Sequence, residues 1–474
     1  MSRLPLLLTL LPALLQAAPL DDLRAATPPH FQPGHTLPPL TRWGWTLPYD
    51  MRLELCEKWG YALEFGGYVD AGSVKRLDDP ISIEAKLVAL TAKDPQRYPL
   101  AVLTLHGQFG DLPDSAWCHD ADGKLPGGQK VMSPEAPDEI FTKAGREWAG
   151  YVAEVRRRCP IAVVLNGGEY GLGVYGFAGK AWAADPAVVK AKGERSWLAY
   201  ISAAKARQEA LISAAFRAAV PDRLLYLYYT TSGNPHRGRY GGWWEWGFEY
   251  PPFRKISDLA SMEVYYKSFN SGWSGDLDLL TLTLNSIAQQ MACGDALSYN
   301  WCCGGWRQSP KPDADVIGDN ERYLGLLKCL YTAGQVGAVA GYFSVPTDKD
   351  PNWLPQMLAL SQAHALFSHL ENYLRRGDLL PGPGQDRFDA TLPGYELPTG
   401  DQTARVLARK LRDRPQWLLT AWAAAGPARE VTVDVPDLGR VTLLARPAGS
   451  VYEAVAGAAP KLVDRDALAP TAGL

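Results

Sequence analysis

An apolar run, Ile161-Ala162-Val163-Val164-Leu165, leads directly into Asn166-Gly167-Gly168-Glu169-Tyr170-Gly171. The run has the length and branching of a buried strand, and the glycines after it let backbone approach a ligand closely. Glu169 would then stand at the carboxyl end of a strand, where parallel α/β barrels carry their catalytic residues. A second run, Leu259-Ala260-Ser261-Met262-Glu263-Val264-Tyr265-Tyr266, brings Glu263 to a comparable place. Two carboxyl groups on one rim suit cleavage of a glycosidic bond. Glu169 is expected to be the general acid/base, its pKa raised by Leu165, Tyr170 and Leu172. Glu263 is expected to be the nucleophile, or the base if the reaction inverts. The competing readings are a rim salt bridge for Glu169 and a buried structural carboxylate for Glu263.

Other residues are placed to line a cleft around these two. Trp43 and Trp45 close the first apolar run, and Glu64, Tyr68 and Asp70 close or follow the second. His106, Gln108 and Phe109 follow the third, and His106 could hydrogen-bond a hydroxyl or serve as a satisfied structural histidine. Asn166 could bind a sugar hydroxyl or cap a turn. Tyr229 lies near the end of the fifth run, and Tyr265 follows Glu263 by two residues. The segment Tyr240-Gly241-Gly242-Trp243-Trp244-Glu245-Trp246-Gly247-Phe248-Glu249-Tyr250 mixes flat stacking surfaces with carboxylates. It suits a sugar cleft, or a loop folded back with its rings buried. Trp301 and Trp306 belong to the same expected rim. The chain holds 16 Trp and 22 Tyr, and many lie beside Gly or Pro rather than inside the apolar runs.

The elements that must hold these residues alternate. Strands are expected over Thr41–Thr46, Tyr61–Phe65, Leu100–His106, Ile161–Leu165, Leu224–Thr230, Leu259–Tyr265, Ala296–Trp301 and Ala338–Ser344. Helices are expected over Met51–Trp59, Ile81–Ala92, Glu139–Arg158, Ser196–Ala219, Leu277–Ala292, Glu321–Gly334 and Leu354–Arg375. Strands alternating with helices imply a parallel sheet, and about eight such units close a (β/α)8 TIM barrel. An open doubly wound sheet is the alternative, but no G-x-G-x-x-G follows an early strand. The barrel is placed at residues 36–378 and a linker at 379–400, opening on Pro381-Gly382-Pro383-Gly384. Beyond it, Arg405–Leu411, Trp417–Ala423, Glu430–Val435, Val441–Arg446 and Val451–Val455 read as an antiparallel β-sandwich over 401–474.

At the two carboxylates the chain resembles a known family. Glu169-Tyr170-Gly171 with Tyr175-Gly176 is similar to the Asn-Glu-Tyr-Gly-x-Tyr-Gly acid/base segment of family 35 β-galactosidases. Ser261-Met262-Glu263-Val264-Tyr265-Tyr266, with Gly272-Trp273 downstream, resembles their Ser-Glu-Phe-Tyr-x-Gly-Trp nucleophile segment. Ser298-Tyr299-Asn300-Trp301 with Gly304-Gly305 is faintly similar to their final barrel strand. The resemblance covers three short patches and the architecture. It implies a clan A barrel and a retaining double displacement. Gly168 stands where the family has Asn, and the strand count puts Glu263 on the sixth strand where the family has its nucleophile on the seventh.

The remaining composition narrows the field. A net charge of -3 with no long basic run argues against nucleic acid as the partner, leaving a poly- or oligosaccharide. No metal is expected, since the 7 His are scattered and neither H-x-H nor H-E-x-x-H occurs. No G-x-S-x-G supports a serine hydrolase, and no cofactor is called for. Residues 1–18 read as a signal peptide, with Arg3 before the apolar Leu4–Leu15 and Gln16-Ala17-Ala18-Pro19 as the cleavage zone. A secreted or periplasmic protein that neither spans nor anchors in a membrane is expected. In that setting some of the 7 Cys would pair, with Cys302-Cys303 either a vicinal disulfide or two small thiols. Two other functions fit the same residues: a polysaccharide lyase, and a non-catalytic carbohydrate-binding protein on a degenerate barrel.

Overall fold

The computed structural model describes residues 39–41, 46–105, 111–167, 179–220, 225–231, 250–254, 256–259, 261–265, 279–294, 297–303, 320–340, 354–387, 389–401 and 403–463. Eight strands form one sheet: β1 (Leu40–Thr41), β2 (Leu63–Tyr68), β3 (Leu100–Leu105), β4 (Val163–Gly167), β5 (Tyr226–Thr231), β6 (Ser261–Tyr265), β7 (Ser298–Cys303) and β8 (Gln335–Ala340). Their spatial order is β1-β8-β7-β6-β5-β4-β3-β2, and every pairing is parallel. The two end strands also approach each other: the Ala62 amide, just before β2, donates to the Pro39 carbonyl, just before β1, at 3.0 Å.

Long helices lie between the strands: α1 (Tyr49–Trp59), α2 (Ile83–Lys93), α3 (Asp138–Arg156), α4 (Trp197–Ala219), α5 (Leu279–Ala292), α6 (Asn320–Ala333) and α7 (Leu354–His369). Ser82 and Ser196 start α2 and α4 by accepting from the Ala85 and Ala199 amides, which satisfies donors that no helical carbonyl can reach. Between β5 and β6 the only described helix is the single turn Tyr250–Phe253.

A parallel sheet is covered on both faces, which is why its strands read as almost unbroken apolar runs. On β3, Leu100 and Val102 join the large cluster shared with the helices. Ala101 and Leu103 join a second cluster on the opposite face, with Leu40, Val163, Leu165, Leu227 and Tyr299. Most expected elements recur with ends displaced by one or two residues, because ladder bonds rather than apolar character set where a strand begins. β5 pairs directly with β6, so Glu263 lies on the sixth strand, one short of the family resemblance.

The C-terminal unit is antiparallel. β9 (Gly377–Leu379), β10 (Ala404–Leu411), β11 (Gln416–Ala423), β14 (Ser450–Val455) and β15 (Lys461–Leu462) form one sheet. A hairpin of β12 (Arg429–Val435) and β13 (Gly439–Ala445) lies over it. Val406, Trp417 and Leu419 face Val431, Val433 and Leu443 of that hairpin. Their alternates Leu407, Leu418 and Trp422 belong to the large cluster and meet α6. Gly325 on α6 permits this contact: a Cβ there would lie 2.2 Å from Trp422 Cδ1. The segment expected as a linker is hydrogen-bonded to itself, Gly382 to Gly394 and Asp386 to Leu392, and Asn285 of α5 donates to Asp386 at 2.7 Å.

One guanidinium joins the two units. Arg409 of β10 is 1% exposed. It donates to the carbonyls of Thr332, Tyr373, Leu374 and Gly377 at 3.1, 3.1, 3.3 and 2.8 Å. Thr332 lies in the last turn of α6, and Tyr373 and Leu374 lie in the short helix Glu371–Arg376. Carbonyls at helix ends lack intrahelical donors, and a buried cation meets both that deficit and the helix dipole. Burial pulls the Arg409 pKa down to about 10, which leaves it charged at neutral pH.

Among the described residues no helix is long and apolar enough to cross a membrane. Residues 1–18 fall outside the described residues. Cys56, Cys118 and Cys159 are buried free thiols, so the pairing expected of an exported chain does not involve them. Burial pushes their pKa values up to about 12, 12 and 11. Cys302 and Cys303 end β7, and their side chains fall outside the described residues.

Two stability predictions follow from the core. Arg409→Met removes the donor shared by four carbonyls, of which Tyr373 alone keeps a second donor in the Gly377 amide, and should cost about 3–5 kcal/mol, read as a lower urea midpoint; a loss below about 1 kcal/mol would refute the joint. His364 on α7 sits beside the Tyr331 hydroxyl at 3.2 Å, and burial pulls its pKa from the ordinary 6.5 down to about 3. The folded state therefore holds it neutral, while the unfolded state protonates near 6.5. Its share of stability is full above that pH and drains as pH falls toward 3. His364→Gln should flatten this acid limb in pH-dependent melting; an unchanged limb would count against it.

Candidate active site at the carboxyl ends of the strands

Because all eight strands are parallel, their carboxyl ends gather along one edge. Register gives the rows. Gly167, the last residue of β4, pairs with Tyr229 on β5, which pairs with Ser261 on β6. Two residues further on, Glu263 stands opposite Thr231 on one side and Trp301 on the other. Tyr265 pairs with Cys303. Thus Tyr229, Glu263, Tyr265 and Trp301 occupy adjacent positions on three neighbouring strands. Glu169 and Tyr170 follow Gly167 by two and three residues and lie outside the described residues, as do Trp45, His106, Trp243, Trp244 and Trp306.

Asn166 takes a different role from the hydroxyl contact expected of it. Its neighbours Val163 and Leu165 point into the second cluster, so alternation turns Asn166 toward the helices. It is fully buried. Its amide nitrogen donates to Glu209 Oε2 and to Tyr226 Oη, both at 2.9 Å. Its amide oxygen accepts from Thr104 Oγ1 at 2.8 Å. The Tyr226 hydroxyl in turn donates to Glu209 Oε2 at 3.4 Å. One amide therefore ties β3, β4, β5 and α4 together just below the end of β4.

Glu64 is buried rather than on an open rim, at 3% exposure. Leu63 and Phe65 belong to the helix-side cluster and Ala62 to the opposite one, so alternation places Glu64 with Ala62. Arg52 of α1 donates to the Glu64 carbonyl at 3.2 Å and to the Leu47 carbonyl at 2.9 Å. Burial lowers the Arg52 pKa, and the charges of Glu64 and Glu84 oppose that shift. Glu84 is held by Arg76 at 2.7 Å. Its carboxylate lies against β2 where Gly66 leaves room: a Cβ there would be 2.2 Å from Glu84 Oε1. Asp70 is a helix cap, accepting from the Ser73 amide at 2.6 Å, not a cleft residue.

The residues that sequence reasoning missed are Thr104, Tyr226 and Glu209. A signal for Glu209 was present. Lys205, Gln208 and Glu209 are polar residues on the same helical face as the buried Ile212 and Phe216. Acids on an apolar stripe are kept where something buried needs them.

No protein-family model matches the chain, and no curated protein matches it. Solved structures it is similar to include glycoside hydrolases. One is a GH27 β-L-arabinopyranosidase from Geobacillus stearothermophilus, at 8% identity and a TM-score of 0.46, over 90% of this chain and 98% of that one. A maltogenic α-amylase from Thermotoga neapolitana matches at 10% identity and 0.43, over 90% and 98%. A GH30 endoxylanase from Clostridium papyrosolvens matches at 8% and 0.40, over 91% and 98%. At such identities neither substrates nor residue roles carry over.

Asn166→Leu should cost about 3 kcal/mol, since it leaves a buried carboxylate and two hydroxyls short of a partner. Chemical denaturation checks this. An unchanged midpoint with a raised KM would instead make Asn166 a ligand for substrate.

Proposed function

We propose that the chain is a glycoside hydrolase acting on a poly- or oligosaccharide, with Glu169 as acid/base and Glu263 as nucleophile. The observation that carries this reading is the register that sets Glu263 on β6, with only β5 between it and the strand that leads into Glu169. Backbones two strand spacings apart stand about 10 Å from each other. Carboxyl groups converging from that separation suit the ~5 Å spacing of a retaining double displacement. In the first step Glu169 gives its proton to the leaving oxygen while Glu263 attacks the anomeric carbon. In the second, Glu169 takes a proton from water, which displaces Glu263 and regenerates both groups.

The sheet order and the bond between Ala62 and Pro39 support a closed (β/α)8 barrel over residues 36–378, with the antiparallel sandwich over 401–474 bracing it from α6. Trp45, His106, Tyr170, Tyr229, Trp243, Trp244, Tyr265, Trp301 and Trp306 are the candidate sugar contacts. Aromatic faces at such a rim would stack on sugar rings. The sequence of residues 1–18 supports export, which would bring the enzyme to polymers outside the cytoplasm.

Release from a panel of aryl glycosides and polysaccharides tests the proposal. Glu169→Gln should lower kcat by about 10²–10⁴-fold where the leaving group needs a proton. Glu263→Gln should abolish turnover with folding preserved. Turnover indifferent to both changes would remove them from the mechanism. Unsaturated products absorbing in the ultraviolet would indicate a lyase, and binding without turnover a carbohydrate-binding protein.

A further inference from the structure

Glu209 is a fully buried carboxylate that the proposed chemistry does not use. It lies on α4, behind the sheet, with Lys205 buried one turn earlier on the same helix. Its Oε2 accepts from the Asn166 amide at 2.9 Å and from the Tyr226 hydroxyl at 3.4 Å. Both donors are strand residues: Asn166 is the penultimate residue of β4, and Tyr226 opens β5. Asn166 precedes Glu169 by three residues. The two strands and the helix are thus joined at one oxygen next to the point where the chain leaves the sheet for the acid/base segment.

We infer that Glu209 is a positioning residue for Glu169, acting through Asn166 to hold the carboxyl end of β4 at a fixed height and rotation. This rests on the acid/base reading of Glu169. The physical argument is leverage. A strand end carries few ladder bonds beyond its last pairing, and Gly167-Gly168 resists rotation less than any other dipeptide. Beside the ladder pairing of Gly167 with Leu105 and Tyr229, the Asn166 side chain is the last described side-chain attachment of β4. Both of its amide protons go to this node, Glu209 directly and the Tyr226 hydroxyl that itself points to Glu209. Removing the acceptor frees Asn166 to turn, and a displacement near 1 Å at a reacting group costs on the order of 10²-fold in rate.

The test pairs Glu209→Ala with Glu209→Gln, since Gln keeps an acceptor oxygen at the same reach. The probes are 2,4-dinitrophenyl and methyl glycosides of galactose, glucose, xylose, arabinose and fucose. A dinitrophenolate leaves without protonation, whereas methanol needs the acid. Glu209→Ala should lose about 10²-fold in kcat/KM, which reports the step up to departure of the leaving group, on the methyl glycoside that wild type cleaves. On the dinitrophenyl partner kcat/KM should fall less than about threefold, since the step in which Glu169 acts as base comes after the leaving group has departed. Glu209→Gln should recover most of the difference. Equal loss on both leaving groups would mean a merely structural residue and would overturn the inference. Amide hydrogen exchange over residues 163–167 gives a readout free of turnover: Glu209→Ala should speed it there while α6 and β10 keep wild-type protection. Unchanged exchange at β4 overturns the inference alone. Glu169→Gln run alongside separates the two failures, because a flat leaving-group response in that variant, or silence of wild type across the panel, overturns the acid/base reading itself and the inference with it.

Discussion

Asn166 uses both of its amide protons and its carbonyl oxygen inside the wall of the sheet, and the rest of the site is arranged around that fact. A parallel sheet is dry on both faces, so a polar side chain on a strand must find every partner there or cost several kcal/mol. Thr104, Tyr226 and Glu209 supply those partners from three different elements. The requirement runs both ways. Once the amide is satisfied, β3, β4, β5 and α4 cannot slide past one another without stranding a buried carboxylate. Register between β4 and β5 is thereby pinned just beneath the rim, and the Gly167, Tyr229 and Ser261 row follows from it.

A second joint of the same kind fastens the antiparallel C-terminal unit to the helices of the parallel one. Arg409 meets four carbonyls rather than a carboxylate, so its charge is offset by helix-end dipoles. Around it the contact is close: Thr332 and Thr420 share a hydrogen bond at 2.6 Å, and Lys328 donates to the Gly449 carbonyl at 2.9 Å. Helices α6 and Glu371–Arg376 end on this joint. The C-terminal unit therefore braces the strands β7 and β8 that α6 separates in sequence, instead of hanging from a free tether. The folded segment between Gly382 and Gly394 is consistent with that rigid connection.

Much of the fold was legible because burial on both faces leaves a strong trace. Runs such as Leu100-Ala101-Val102-Leu103 have no polar alternation to confuse a strand with a surface element, and helices such as Trp197–Ala219 carry a capping serine at the start. β9 and β15 escaped notice because two or three residues leave no period to detect. The site was harder. Asn166 next to two glycines reads as a ligand or a turn cap, and only its place on the helix-facing side of β4 gives it a structural duty. Asp70 and Ser73 form a reciprocal cap, a pattern written in their spacing but masked by the expectation of a cleft residue.

What the sequence determined alone is the alternation of elements and the parallel sheet it implies. These depend on local period and side-chain type, which survive without any partner. Tertiary structure decided which face each polar residue serves. Glu209 shows in sequence only as an acid on an apolar helical stripe, because its meaning lies in a contact with Asn166, 43 residues away, across a helix-to-strand interface. Arg409 is likewise an ordinary arginine in an alternating strand until four carbonyls from distant segments close around it. Long-range hydrogen bonds have no local periodicity, so only the folded chain reveals them.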